Sequence, residues 1–156
     1  MLACLALGAA GNAVRGDKSA EPPEKRETVR GRVVWLAEAM KRLHGVATDD
    51  DAAHAVIALE TAEKRLIPLL KDARGRGFHL DPRLLKFDYE LELKRFPGVP
   101  MAQVIRVCTL KNGKRYELDY WCDICAIPMY ELKECECCQG PIRLRERLVE
   151  EAGREQ

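Results

Sequence analysis

FDYELELKRFPGVPMAQVIRVCTLKNGKRYELDYWC, residues 87–122, reads as three consecutive β-strands and sets the fold of the chain. Phe87, Tyr89, Leu91 and Leu93 alternate with Asp88, Glu90, Glu92 and Lys94. A period of two places one set on a core and turns the charged set to water. The run Phe96-Pro97-Gly98-Val99-Pro100 turns the chain into a second strand, Met101 to Leu110. Asn112-Gly113 is a strong two-residue hairpin signal, and the third strand, Arg115 to Trp121, delivers the chain to Cys122.

Working outward toward the N-terminus, Asp81-Pro82 starts a single helical turn through Leu85, with the aspartate as cap and the proline in the first position. Lys71 to Gly77 reads as a loop. The segment from His54 to Leu70 carries a helical stripe (Ala55, Val56, Leu59, Ala62, Leu66, Leu70), but Pro68 inside a helix costs about 3 kcal/mol. A strand pair turning around Thr61 to Lys64, with Pro68 on a sheet edge, avoids that cost and is the reading adopted. Asp49 to Asp51 is a helix start or an acidic loop, because the alternating oxygen ligands of a calcium loop are missing. Glu38 to His44 is a short helix stopped by Gly45, and Val29, Gly31, Val33 and Trp35 form a first strand. The expected fold is mainly β with an α+β character. Residues 29–121 form a small OB-like antiparallel β-barrel or meander with short helices, followed by a four-cysteine zinc loop.

Five of the seven cysteines fall in YWCDICAIPMYELKECECCQGP, residues 120–141. Cys122 and Cys125 form one C-x-x-C pair, and Cys135 and Cys138 form another nine residues on. One chain reversal brings four thiolates together at tetrahedral zinc spacing. The predicted metal ligands are Cys122, Cys125, Cys135 and Cys138, with zinc in a structural role and Cys137 as a possible alternative ligand. Four thiolates on Zn²⁺ leave a net charge of about −2, which Lys133, Arg143 and Arg145 are close enough in sequence to offset. Neither pair is followed at once by glycine: Ala126 follows the first and Gln139 the second. Cys108 sits in mid-strand as a small buried hydrophobe. His44, His54 and His79 have no partner at ligand spacing. Disulfides compete with zinc if the compartment is oxidising.

The whole module, DYWCDICAI followed by ECECCQGP, resembles that of uncharacterised bacterial exported proteins that pair an OB-like β domain with a C-terminal cysteine cluster. That resemblance spans residues 29–147 and implies export and metal binding without any established activity. Trp121 to Cys125 also resembles the W-C-x-x-C motif of thioredoxin-like oxidoreductases, in which the first cysteine caps a helix N-terminus and so becomes acidic. Pro128, three residues after Cys125, argues against such a helix here.

The rest of the chain bounds the reading. Residues 1–13 form a signal-peptide-like segment: an apolar run followed by small residues, without a basic start. Residues 14–28, with the Pro22-Pro23 pair, read as a disordered linker, and residues 142–156 as a charged, partly helical tail. Lys and Arg number 26 against 25 Asp and Glu, leaving +1, so the electrostatic footprint of a nucleic-acid binder is missing. Arg74, Arg76, Arg143, Arg145 and Arg147 read as solvated surface charge. The aromatics available to stack on bases are Trp35, Phe87, Tyr89, Tyr116, Tyr120 and Trp121, and most of them are more simply core. No Ser-His-Asp order, phosphate-binding glycine loop or HExxH motif is present, and no catalytic residue is assigned. A non-enzymatic, zinc-binding exported protein of structural or interaction type is expected. The alternatives are a thiol-disulfide oxidoreductase using Cys122 and Cys125 and a nucleic-acid-binding OB and zinc module.

Overall fold

The computed structural model describes residues 25–150, and β1 (Lys25–Trp35) is the strand that joins its two halves. The first part of β1 pairs antiparallel with β4 (Asp88–Arg95), from Lys25 opposite Arg95 to Arg32 opposite Asp88. Its last four residues pair with β2 (Ile57–Glu60), from Arg32 opposite Glu60 to Trp35 opposite Ile57. A single long strand thus belongs to both halves of the sheet. β2 continues to β3 (Leu66–Pro68), and β4 continues to β5 (Ala102–Lys111). Leu69, just after β3, meets Ala102 in parallel, and the Leu70 N–H donates to the Ala102 carbonyl at 2.9 Å. The circuit β1-β2-β3-β5-β4 therefore returns to β1. Between β3 and β4 lie α2 (Gly75–Leu80) and a 3₁₀ turn, Pro82–Lys86. Five strands closed in this order, with a helical connection after the third, make an OB-like barrel.

Side-chain alternation explains the closure. Val33, Leu59, Tyr89, Leu91 and Leu93 point inward and are all but inaccessible to solvent, and Phe78 and Leu84 from the helical connection join them. The Tyr89 hydroxyl donates to the Leu84 carbonyl at 2.6 Å, which ties the 3₁₀ turn to the barrel. Pro68 lies on β3, the first strand in the sheet order and an edge strand outside the closing bridge, where its missing N–H costs no ladder bond. Between β1 and β2 runs α1 (Leu36–His44), ended by Gly45 at φ 68° as the sequence predicts.

Past β5, Asn112 (φ 50°) and Gly113 (φ 75°) form the predicted tight turn into β6 (Lys114–Cys122). β6 leaves the barrel and carries two short partners, β7 (Ile127–Met129) at its end and β8 (Arg143–Leu148) along Tyr116 to Trp121.

Three expectations change. Lys25 to Thr28, assigned to the linker, belong to β1, where Arg26 faces Glu92 and Glu27 faces Arg95, both at 3.5 Å. Their polar composition hides a strand whose cross-strand neighbours are themselves charged. The tail, expected to be partly helical, instead contributes β8: Arg145 and Arg147 pair across the ladder with Asp119 and Glu117 of β6. Alternation in RLRERL is a strand period, and opposite charges on the neighbouring strand fix its register. Within the expected loop 71–77, α2 already begins at Gly75. The signal-like segment 1–13, the linker up to residue 24 and the last six residues of the tail lie outside the described residues. Among the described residues no helix is long and apolar enough to cross a membrane.

Candidate metal centre

β6 ends at Cys122, whose side chain is fully buried. The chain then makes a tight turn: the Cys125 N–H donates to Cys122 Sγ at 3.4 Å, and the Ala126 N–H donates to the Cys122 carbonyl at 2.9 Å. The second pair repeats the first. The Gln139 N–H donates to the Cys135 carbonyl at 2.8 Å, and the Cys135 N–H is taken by the Gly140 carbonyl at 3.0 Å. Each knuckle closes on a residue in the left-handed region, Ala126 at φ 54° and Gln139 at φ 59°. These are the two positions that the sequence marks as lacking glycine, so each knuckle carries a non-glycine residue where one without a side chain fits more cheaply. Gly140 itself meets the cluster closely. A Cβ there would lie 2.9 Å from Ile124 Cδ1 and 3.3 Å from Cys138 Sγ.

The two knuckles bring the Sγ atoms of Cys122, Cys125, Cys135 and Cys138 within 4.8 Å of one another, and Cys122 and Cys138 sulfurs are 3.6 Å apart. Thiolates about 2.3 Å from a tetrahedral ion sit about 3.8 Å apart along each edge, so the donor set suits a closed S₄ site after a small contraction. Cys137 stands outside this group, exposed to solvent, and Cys108 is buried in β5. All six described cysteines are free thiols. The N–H groups of Cys138 and Cys137 pull the Cys135 thiol down to about 7. The neighbouring Cys138 sulfur, followed by that of Cys137, pushes Cys125 up. Sulfurs this close compete for protons, and a cation between them removes the conflict by binding the deprotonated forms.

The cations expected to offset the thiolate charge are otherwise engaged. Lys133 binds Glu131 and Glu136, Arg143 binds Asp123, and Arg145 makes a two-pronged pair with Asp119 at 2.9 and 2.7 Å. Arg145 also stacks on the Trp121 ring, 3.6 Å from its centroid. What points at the sulfurs instead is backbone: the Cys125 N–H at Cys122 Sγ and the N–H groups of Cys137 and Cys138 at Cys135.

Residues that composition gave no reason to select fasten the module to the barrel. Arg74 covers the Tyr130 ring at 3.7 Å, and Arg76 pairs with Glu131 at 3.1 Å, so these two are docking residues, not idle surface charge. Gly77 of α2 lies so close to the module that a Cβ would come within 2.6 Å of the Tyr130 carbonyl oxygen. Below them the buried Tyr120 hydroxyl donates to Asp81 Oδ2 at 2.6 Å, while Asp81 also receives the Arg83 backbone N–H and guanidinium. The Arg83 guanidinium holds the Asp81 carboxyl below the usual carboxylate range, against the upward push of burial. The cap predicted at Asp81 thus also anchors the strand that leads to the four-cysteine cluster.

The redox motif lacks its helix: Cys122 closes a strand, and residues 123–126 form a turn. Of the aromatics named as stacking candidates, Tyr89 and Tyr120 are fully buried. His79 packs edge-on against Trp35, which also contacts His54, and none of the three histidines joins the sulfur cluster. A comparison of the chain with protein families, with curated proteins and with solved structures returned no match.

Proposed function

We propose that the chain is a non-enzymatic zinc-binding protein of structural or interaction type, exported by way of its N-terminal segment. One observation carries the metal reading: four thiol sulfurs within 4.8 Å of one another, presented by two knuckles of the same design. A closed set of four thiolates with no open position suits a structural ion better than a catalytic one, and zinc is the common divalent ion with that preference. When bound, the ion would supply cross-linking alone. The chain's own groups do the rest: N–H dipoles stabilise the thiolates, Arg74 and Gly77 seat Tyr130, and Asp81 holds Tyr120 under the cluster. Export and the family likeness to bacterial proteins with an OB-like domain rest on the sequence of residues 1–13 and of the cysteine module.

The full chain, purified in reductant without added metal, is expected to contain about one zinc per molecule by elemental analysis, and Cys125→Ser to lose it. A preparation holding far less than one equivalent of any transition metal would overturn the reading. Rapid alkylation of Cys122 at acidic pH with insulin-reducing activity would favour the oxidoreductase instead.

A further inference from the structure

A groove of about 680 Å³ opens over the outward side chains of β1, remote in sequence from the cysteine module. Its lining brings together Arg30, Arg32, Arg42 and Lys64 with two carboxylates, Glu60 and Asp88. The chain as a whole is nearly neutral at +1, so this concentration of cations is local. The cations are also held in place. Glu60, only 8 % exposed, accepts from the Arg42 guanidinium and from Lys64 Nζ, the latter at 3.2 Å. Glu90, equally shielded at 8 %, accepts from Arg30 Nε at 2.9 Å and from Arg115 Nη1 of β6, two strands away across β5, at 3.1 Å.

One buried carboxylate, Glu60, shared by Arg42 and Lys64 leaves that triad with a surplus positive charge. It also fixes the direction in which their remaining N–H donors point. Arg42 hydrogen bonding keeps Glu60 acidic, so the brace stays ionised at neutral pH. Arg32 is less committed. It stands 3.8 Å from Asp88, with both side chains more than 60 % exposed, and such a pair is worth little against a better partner. The groove has the size of a small-molecule site, and its donors are ordered before any ligand arrives.

We infer that this groove binds a small polyanion of the phosphate type, with at least two negative charges, through Arg32, Arg42 and Lys64, with Glu60 as the positioning brace. The inference is independent of the metal centre.

Inorganic pyrophosphate titrated into the full chain by calorimetry at about 50 mM salt tests it. Saturable one-to-one binding is expected, stronger than that of inorganic phosphate and weakened about tenfold by Lys64→Ala or Arg32→Ala. Lys41→Ala, on α1 outside the groove lining, should change nothing. Glu60→Gln separates a built site from simple attraction. Removing a negative charge strengthens a diffuse electrostatic interaction, whereas loss of the brace weakens the site. Circular dichroism of each variant checks the fold, and the exposed Lys64 and Arg32 positions decide the matter if Glu60→Gln does not fold. No saturable binding, equal affinity for phosphate and pyrophosphate, an equal loss in Lys41→Ala or tighter binding in Glu60→Gln would each overturn the inference. So would a single-stranded oligonucleotide that binds and is not displaced by pyrophosphate.

Discussion

The barrel buries a continuous set of branched and aromatic side chains, among them Val33, Leu59, Phe78, Tyr89, Leu91 and Leu93, drawn from three strands and a helix. The module at residues 122–141 buries far less: around Cys122 and Cys135 only Tyr120 and Met129 are fully enclosed, while Ile124 is 71 % exposed and Leu132 42 %. Burial of this extent supports the first region and cannot support the second, since a segment of some twenty residues has too little interior to offset the entropy of ordering it. The barrel is therefore organised by packing. The module is organised by four sulfurs and by what it touches on α2 and β6.

The widest separation of the two regions should come from removing the proposed zinc. Apparent binding energies of structural zinc are on the order of 10 kcal/mol, and in a module without its own core that energy is folding energy. Chelation is expected to abolish amide-exchange protection in residues 123–141 while leaving β1, β4 and β5 protected. Leu91→Ala should do the reverse of a local lesion. It deletes a fully buried side chain, costs about 2 to 5 kcal/mol and lowers the midpoint of the whole barrel without changing zinc stoichiometry. If chelation melts the barrel as steeply as the module, the regions form one cooperative unit and the comparison fails.

The joint between them gives the next effect. Asp81→Asn leaves the Tyr120 hydroxyl and the Arg83 guanidinium with a weaker partner inside a site 1 % exposed, and should cost about 2 kcal/mol at neutral pH. The pH dependence has a definite sign. A carboxylate whose folded pKa is depressed contributes stability that is complete above its unfolded value, about 3.9, and is lost as pH falls through the lower folded value. The wild type should therefore lose more stability than Asp81→Asn between pH 5 and strongly acidic conditions, roughly the window set by those two values. Parallel acid limbs in urea titrations of the two proteins would show that Asp81 is not the anchor.

How much of this was readable in advance follows from what each region depends on. Tyr89, Leu91 and Leu93 alternate with charges because one face of β4 is core, and that period is visible in any sequence with a half-buried strand. Pro68 likewise weighed against a helix on steric grounds, and the strand pair it favoured is the one formed. The first residues of β1 and all of β8 escaped because their strand character lies in charge pairs with other strands, Glu27 with Arg95 and Arg147 with Glu117, and the partner is unknown until the fold is. In the module, cysteine spacing predicted a four-sulfur cluster, and the four sulfurs come together as that spacing requires. The seat for Tyr130 was not legible, since Arg74 and Gly77 are some fifty residues away and look like ordinary loop residues. Nor was the fate of Lys133, Arg143 and Arg145, whose nearness in sequence suggested thiolate partners but whose nearest acceptors are carboxylates.

The smallest effect concerns the two left-handed residues, and it sharpens the comparison because the barrel's tight turn between β5 and β6 uses Asn112 and Gly113, residue types that adopt positive φ cheaply. In the module the same conformation falls on Ala126 at φ 54° and Gln139 at φ 59°. A left-handed residue with a Cβ costs roughly 1 to 2 kcal/mol, while glycine gives back some of that through the freedom it adds to the unfolded chain. Ala126→Gly and Gln139→Gly should each stabilise the metal-loaded module by about 0.5 to 1 kcal/mol. The gain should appear as a higher chelator concentration needed to strip the metal, with the barrel's own unfolding midpoint unchanged. Because Ala126 and Gln139 belong to two separate turns, the two gains should add in the double variant. A lower stripping midpoint in either single variant would mean that the Ala126 or Gln139 side chain contributes contacts worth more than the strain it imposes.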